Sequence, residues 1–299
     1  MVDLSNEIVN HVKKGDCQYL EFKELIKYND VVKHGYCLKP YGFHLNRNSG
    51  NCGDNRYCKD SNNSGDNNNN TDNKWNKKII NNYEKFCQCI GINTKGLVKP
   101  NQTHTSVVKC VDIREDGISI EDEKYRETDG LITNVKGVSL ASVNADCILL
   151  ILFDPVKKVI GNIHSGWKGT FKKICVNGVQ AMIDNYGCNP KDIICCICPS
   201  IRKCHFQVEK DVKDLCYDIF GNLINDNDEI IEYVGEIEGV DKWVIDTVLI
   251  NEILLKNMGV KSENIFDCGI CSVCNSELVH SRRADGAGFE LGTAVIGLI

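Results

Sequence analysis

The sequence predicts a mixed α+β fold, in which mixed β-sheets are layered with helices, and three observations predict it. Five short apolar runs, Val107 to Ile113, Leu131 to Thr133, Val138 to Val143, Ile148 to Phe153 and Val159 to Ile163, are separated by Asp, Gly and Pro turns, as strands are. Two later segments carry helix end signals: Phe171 to Tyr186, capped by Thr170 and closed by Gly187, and a segment that starts at Asp246 and stops at Gly259. The order of these elements is not a regular βαβ alternation.

Taken from the N-terminus, residues 1–22 are charged and lightly amphipathic, with Ile8, Val9 and Val12 at helical spacing, and predict a helical extension leading into the domain. From Val31 to Asp54 the chain is rich in Gly, Asn and aromatics, which predicts short strands and turns. Residues 59–74 are an Asn-rich, low-complexity tract that cannot bury apolar area and read as a disordered insertion. Trp75 to Cys89 places Ile79, Ile80, Tyr83 and Phe86 three to four apart, a helical pattern. After the strands and the helix at 171–186 come a strand at Ile193 to Ile197, a helix at Val208 to Phe220, the helix after Asp246 and a last apolar strand from Thr293 to Ile299. With no internal repeat and no linker, residues 23–299 read as a single domain.

Composition narrows the function classes. The 299 residues are 42% hydrophobic and 25% charged, enough for a sizeable core. The net charge is −6, and no basic stretch exceeds a Lys pair or Arg282-Arg283, so no nucleic-acid partner is expected. Neither a leader-like N-terminus nor a run of eighteen apolar residues is present, which predicts a cytosolic protein with no membrane partner. Protein partners are not legible.

Eighteen cysteines resemble a secreted disulfide framework, but that reading belongs to short chains with a signal peptide. Many sit in apolar runs, as in Ile193-Ile194-Cys195-Cys196-Ile197-Cys198, where a reduced thiol acts as a small buried hydrophobe. Cys268-x-x-Cys271-x-x-Cys274 has the spacing of part of a metal cluster. Its continuation, Asn275-Ser276-Glu277, lacks the next ferredoxin cysteine, so a turn with partly buried thiols is expected.

The chemistry concentrates in three segments: Gln102-Thr103-His104-Thr105, Ala145-Asp146-Cys147 and His164-Ser165-Gly166-Trp167-Lys168-Gly169. Two imidazoles and one thiol, His104, Cys147 and His164, are three zinc ligands. A structural zinc site closes its tetrahedron with a fourth protein ligand, whereas a catalytic one leaves that position to water. The same set also suits a cysteine nucleophile with a histidine base. Gly166 and Gly169 let backbone amides approach a ligand closely ahead of a helix N-terminus, and Lys168 adds a positive charge. That combination suits a phosphate or carboxylate, unless the glycines only turn the chain from strand to helix.

These segments, with Pro199-Ser200-Ile201, Pro40-Tyr41, Leu45-Asn46, Cys52-Gly53-Asp54-Asn55, Glu127-Thr128-Asp129-Gly130 and Ser281 with Arg283, Asp285 and Gly286, carry a resemblance to a known family. The chain resembles the YfiH family, also called the multicopper polyphenol oxidase, laccase-domain or PgeF peptidoglycan-editing family. The resemblance implies a YfiH-like fold similar to that of cysteine-dependent toxin deamidases. It also implies one zinc per chain on His104, Cys147 and His164. The implied activity is purine nucleoside chemistry: phosphorolysis of adenosine, inosine or methylthioadenosine to base and sugar 1-phosphate, with inorganic phosphate as co-substrate, and deamination of adenosine.

Cys147, His164 and Asp146 are then the catalytic candidates, Asp146 as a ligand-orienting group or proton carrier or else a structural strand-end carboxylate. Gly166, Trp167, Lys168, Gly169, Arg283 and Asn46 are the substrate and phosphate candidates. The family usually has Arg where this chain has Lys168, and Tyr or His where it has Arg282, so the substrate end departs from the pattern more than the metal end does. A multicopper oxidase needs three or four coppers held mostly by imidazoles, and seven histidines without a His-x-His pair do not furnish them, so copper is not expected. Two other readings stand beside this one. One is a cysteine-nucleophile hydrolase or amidase using Cys147 and His164, peptidoglycan-precursor editing included. The other is a non-catalytic protein in which zinc is a structural clip, its fourth ligand from His280, His44 or a nearby Cys.

Overall fold

The computed structural model describes residues 2–43, 69–112, 118–120 and 122–299, and within them sixteen strands form three sheets. The seven-stranded sheet runs β1 (Val9–Lys14), β2 (Cys17–Phe22), β3 (Val32–Cys37), β16 (Gly292–Leu298), β8 (Ser139–Asn144), β4 (Leu97–Lys99), β6 (Ile118–Ile120). The six-stranded sheet runs β15 (Ile265–Asp267), β11 (Ile194–Ile197), β9 (Ile148–Asp154), β10 (Val159–Ser165), β7 (Gly130–Thr133), β5 (Val108–Cys110). A small third sheet is β12 (Gln207–Val208), β14 (Val240–Ile245), β13 (Ile231–Ile237). Both large sheets are mixed, with β4 parallel to β6 and β8, and β11 parallel to β15. The helices are α1 (Lys23–Ile26), α2 (Asn69–Ile90), α3 (Trp167–Phe171), α4 (Ile174–Tyr186), α5 (Lys210–Asp226), α6 (Thr247–Asn257) and α7 (Arg282–Asp285).

The two-residue side-chain period of strands explains how these pieces layer. In β9, Leu149, Ile151 and Phe153 point to one face and join Leu20, Tyr36, Leu140 and Ile296 of the other large sheet in a shared core. Ile148, Leu150 and Leu152 point to the opposite face and pack with Ile174, Val179 and Met182 of α4 and with Phe220 and Leu255 of α5 and α6. The seven-stranded sheet does the same in reverse, covering its outer face with Ile79, Tyr83, Phe86 and Ile90 of α2. The order is helix, sheet, sheet, helices. A strand buried on both faces has no polar alternation, which is why β9 reads as an unbroken apolar run. Asn162 ties the two sheets together, its Nδ2 donating to Leu140 O at 3.0 Å and Ala294 O at 2.9 Å.

Several expectations need correction. The N-terminal segment is not helical: β1 and β2 form a hairpin whose register, Lys14 opposite Cys17, leaves a two-residue turn with Gly15 at φ +63°. Its apolar residues suit a helix by spacing, but edge pairing to β3 buries Val9, Cys17, Tyr19 and Leu20 instead. Of the Asn-rich tract, residues 69–74 belong to α2, and 59–68 lie outside the described residues. The single helix expected from Phe171 is two, because Lys173 is left-handed at φ 58° and interrupts it. Thr170 is not its cap. It is buried inside α3, and its hydroxyl meets Ser165 Oγ at 3.0 Å and accepts from Asn251 Nδ2 of α6 at 3.1 Å. Gly187 does close α4, at φ 64°, and Asp246 does cap α6, accepting from Leu249 N at 2.9 Å. None of the described helices is long and apolar enough to cross a membrane.

Candidate metal centre

The antiparallel register of β9 and β10 sets Ser165 opposite Ile148 and His164 opposite Leu149. Cys147, one residue before β9, therefore comes beside His164 at the end of β10. The third segment is brought in by Gln102, whose amide makes two hydrogen bonds to the backbone of Val143 at the end of β8, both 2.8 Å. His104 then stands with Nε2 at 3.7 Å from Cys147 Sγ, and its ring centroid is 4.9 Å from that of His164. The donor atoms of His104, Cys147 and His164 all lie within 4.8 Å of one another. Zinc bonds of about 2.3 Å to sulfur and about 2.0–2.1 Å to nitrogen in tetrahedral geometry require S···N edges near 3.5 Å, so the set fits the ion. A Cβ added to Gly166 would lie 2.8 Å from His104 Cδ2 and 3.0 Å from Cys147 Sγ. The glycine leaves room for the donor side chains themselves.

Asp129 organises this group, and it was not among the sequence candidates. It is fully buried, and its Oδ1 meets His164 Nδ1 at 2.8 Å and accepts from His104 N at 3.0 Å. Its Oδ2 accepts from Thr105 N and Thr105 Oγ1, both at 2.7 Å, and from Thr103 N at 3.2 Å. Binding His164 through Nδ1 turns Nε2 toward Cys147, the carboxylate–histidine arrangement typical of metal ligands. It also holds His104 at φ 61°, a left-handed conformation that costs energy for a residue other than glycine.

Burial of the Asp129 carboxyl opposes ionisation, but His164 and the Thr105 donors outweigh it and hold the group well below the usual carboxylate range. For Cys147 burial again opposes ionisation, and His164 with His104 brings the thiol down to about 6. His164 is pushed the other way: burial lowers it, and Cys147 with Asp129 raises it to about 9. In the metal-free chain the pair is thus a thiolate beside an imidazolium, and the sulfur is already in the form that binds a metal.

The remaining candidates fall into two groups. Asp146, at φ 87°, accepts from Ser272 Oγ and Ser281 Oγ at 2.6 Å each on Oδ1, and from Arg283 N at 2.8 Å on Oδ2. Both oxygens are engaged, so the carboxylate clamps two loops next to Cys147. The Arg283 guanidinium donates to His205 O at 2.8 Å. On the other side, Trp167 packs edge-on against Phe171, and Lys168 Nζ lies 5.4 Å from the Trp167 ring centroid. The helix opened by Gly166 has only five residues, which shortens the dipole expected there. Gly169 packs under Thr105 O at 3.4 Å from its notional Cβ. Lys172, not among the candidates, donates from Nζ to His104 O at 3.1 Å. Asn46 and His44 lie outside the described residues. His280 is elsewhere, donating from Nε2 to Tyr41 O at 2.7 Å.

The cysteine-rich turn also departs from expectation. Cys268 is buried between the sheets, whereas Cys271 and Cys274 converge with Cys204 and His205, which the spacing of Cys268, Cys271 and Cys274 does not indicate. Among the described residues these four and the His104 group are the two gatherings of metal-type donors. Cys195, Cys196 and Cys198 are buried and free, as a role in the core requires.

Compared with known proteins, residues 44–298 match the family model described as multi-copper polyphenol oxidoreductase laccase. The chain is 30% identical over 221 residues to the mouse purine nucleoside phosphorylase LACC1, covering 73% of this chain and 47% of that protein. It therefore spans about half the length of the mouse relative. It is 30% identical over 209 residues to the purine nucleoside phosphorylase YlmD of Bacillus subtilis, covering 69% of this chain and 72% of the relative. It is 28% identical over 199 residues to the adenosine deaminase RL5 of an unknown prokaryotic organism, covering 66% of this chain and 73% of the relative. Among solved structures, YfiH of Bacillus licheniformis superposes with a TM-score of 0.74 at 26% identity, over 94% of this chain and 96% of that one.

Proposed function

Because this chain belongs to the multi-copper polyphenol oxidoreductase laccase family, with relatives named as purine nucleoside phosphorylases and an adenosine deaminase, we propose that it is a zinc-dependent purine nucleoside enzyme. Its reactions are phosphorolysis of adenosine, inosine or methylthioadenosine and deamination of adenosine. The observation that carries this reading is the three-donor group of His104, Cys147 and His164, oriented by Asp129 and joined, among the described residues, by no fourth His, Cys, Asp or Glu. Three ligands leave one position open, the arrangement of a catalytic rather than a structural zinc. When bound there, zinc supplies a Lewis acid at that open position.

The chain's own residues do the rest. Asp129 fixes the His164 tautomer and holds the His104 backbone, so both imidazoles keep their aim without reorganising. Gly166 keeps the space beside them free of a side chain. Asp146 draws Ser272, Ser281 and the Arg283 backbone against the Cys147 segment, and acts as a positioning residue. In phosphorolysis an oxygen of phosphate bonds to C1′ as the C1′–N9 bond breaks, and the departing base gains negative charge. Lys168 and Arg283 are the cations this reading assigns to the anionic co-substrate, together with Lys172, whose Nζ donates to His104 O at 3.1 Å. Copper oxidation finds little support in the donors. Beyond the two site imidazoles, His11 meets Gln18, His34 accepts from Phe22 N, His280 donates to Tyr41 O and His205 joins the separate cysteine group. No second set of imidazoles gathers among the described residues to hold a copper cluster.

One observation favours a second reading. Cys147 Sγ within 3.7 Å of His104 Nε2, next to His164, also fits a cysteine nucleophile with a histidine base. Incubation of zinc-loaded protein with adenosine, inosine and methylthioadenosine, with and without phosphate, tests the proposal. Phosphate-dependent release of base, together with ammonia from adenosine, supports it. Absence of both with every nucleoside refutes it. Alkylation separates the second reading: a metal-held thiolate at Cys147 resists iodoacetamide until a chelator is added, and a catalytic thiolate does not.

A further inference from the structure

Cys204 and His205 lie in the turn between β11 and β12, and Cys271 and Cys274 in the turn after β15. The two turns are sewn together by their backbones, through a bridge between Ser200 and Cys271 and through Ser272 N donating to Ser200 O at 2.9 Å. Arg202 reinforces the seam, its Nη1 donating to Asp267 Oδ2 at 2.6 Å. Two pairs of side chains, 66 to 70 residues apart in sequence, are thereby brought to one point.

The distances there are those of a coordination sphere. Cys204 Sγ is 3.6 Å from Cys271 Sγ and 4.0 Å from Cys274 Sγ. His205 Nδ1 is 3.2 Å from Cys204 Sγ, 3.6 Å from Cys271 Sγ and 3.5 Å from Cys274 Sγ. A tetrahedron with zinc bonds of about 2.3 Å to sulfur and about 2.0–2.1 Å to nitrogen has S···S edges near 3.8 Å and S···N edges near 3.5 Å. Five edges of the observed group straddle these values. We propose that Cys204, His205, Cys271 and Cys274 form a second zinc site, structural in kind, built from a Cys-x-x-Cys knuckle and an adjacent Cys-His pair.

Three thiolates and one imidazole are a complete ligand set, with no position left for water, unlike the His104 group. The edges fit a single ion, whereas the protein ligands of an iron–sulfur cluster are shared among two or four irons and cannot all stand at the edge lengths of one tetrahedron. Cys204 and Cys274 are exposed, and two free thiols on a surface are poor candidates for packing. The site also has something to hold. His205 O receives the Arg283 guanidinium, and Ser272, between the knuckle cysteines, donates to Asp146 beside Cys147. A metal here fastens the two turns that hold Asp146, next to Cys147, and Arg283.

Metal counting on the full chain tests this independently of any nucleoside activity. Reduced protein, stripped with chelator and reloaded, is expected to bind two zinc ions per chain, with one lost in Cys147→Ala and the other lost in Cys274→Ser. With cobalt(II) in place of zinc, Cys147→Ala retains the intense sulfur-to-metal absorption of a three-thiolate site. Should Cys274→Ser fail to fold, alkylation of Cys147→Ala gives the same answer: one equivalent of zinc protects Cys204 and Cys274 from iodoacetamide. A single zinc in the wild-type chain that disappears in Cys147→Ala overturns the proposal, as does equal alkylation of Cys204 and Cys274 with and without zinc.

Discussion

Replacing Asp129 with Asn keeps the shape of the side chain and removes one acceptor oxygen. The carboxylate takes five hydrogen bonds, from His164 Nδ1, from three backbone N–H groups at 103–105 and from the Thr105 hydroxyl. An amide has one oxygen, so its NH2 must face either His164 and His104 N or the Thr103 and Thr105 amides. Each orientation leaves two donors unpaired in buried or half-buried positions, at about 1–3 kcal/mol each, for a loss of about 2–6 kcal/mol. That is a large share of the ~5–15 kcal/mol that holds a typical domain. At roughly 2 °C per kcal/mol for a chain of this size, the metal-free Asp129→Asn protein should melt at least about 4 °C lower. Its zinc affinity should fall by about 10–100-fold, the usual consequence of losing an outer carboxylate on a metal-bound histidine. Differential scanning calorimetry of the metal-free protein and zinc competition against a fluorescent chelator measure the two effects. Wild-type melting together with wild-type affinity would refute the role given to Asp129.

Three further outcomes follow from the same geometry. Gly166→Ala places a methyl 2.8 Å from His104 Cδ2, so the ring must retreat by roughly 0.7 Å to reach a normal carbon contact. A metal site tolerates only about ±0.2 Å. Zinc affinity should therefore drop about tenfold or more while the metal-free melting point holds, since φ −61° suits alanine; unchanged affinity would count against the site. In metal-free protein, Cys147 should react with iodoacetamide with a midpoint near pH 6, well below the ~8.5 of a free thiol, and a midpoint at the ordinary value would contradict the thiolate–imidazolium pair. Burial, helped by Lys33, holds His34 down to about 3, so the folded state binds fewer protons than the unfolded one between pH 6.5 and 3. Its stabilisation is present above pH 6.5 and is lost on acidification by up to about 1.4 kcal/mol per pH unit, so His34→Gln should flatten the acid limb of the stability curve.

The centre of the fold was legible because its strands are buried on both faces. Ile148 to Phe153 announces itself as an unbroken apolar run and Val159 to Ile163 as one interrupted by Gly161 and Asn162, and the register of the two strands then brings Cys147 to His164. The gathering of His104, Cys147 and His164 was legible for a chemical reason, since two imidazoles and a thiol form a metal-type donor set. Asp129 was not, because a Thr-Asp-Gly turn gives no sign of its partners until His164 and the 103–105 backbone close around it. The hairpin of β13 and β14 escaped because most of its side chains are exposed, so neither a helical nor a strand period of apolar residues marks it. Cys204 and His205 escaped because the spacing of Cys268, Cys271 and Cys274 pointed within one turn, whereas backbone pairing across two turns supplies the missing donors and leaves Cys268 in the core.

The central claim is that His104, Cys147 and His164 hold the metal on which nucleoside chemistry depends. Titrating zinc into metal-free protein while following base release from inosine in phosphate tests it most directly. Activity should rise with zinc bound and level off at saturation, and Cys147→Ala should stay flat throughout. Metal-free protein that already turns over inosine at the saturated rate, or saturated protein that releases no base, would contradict the account.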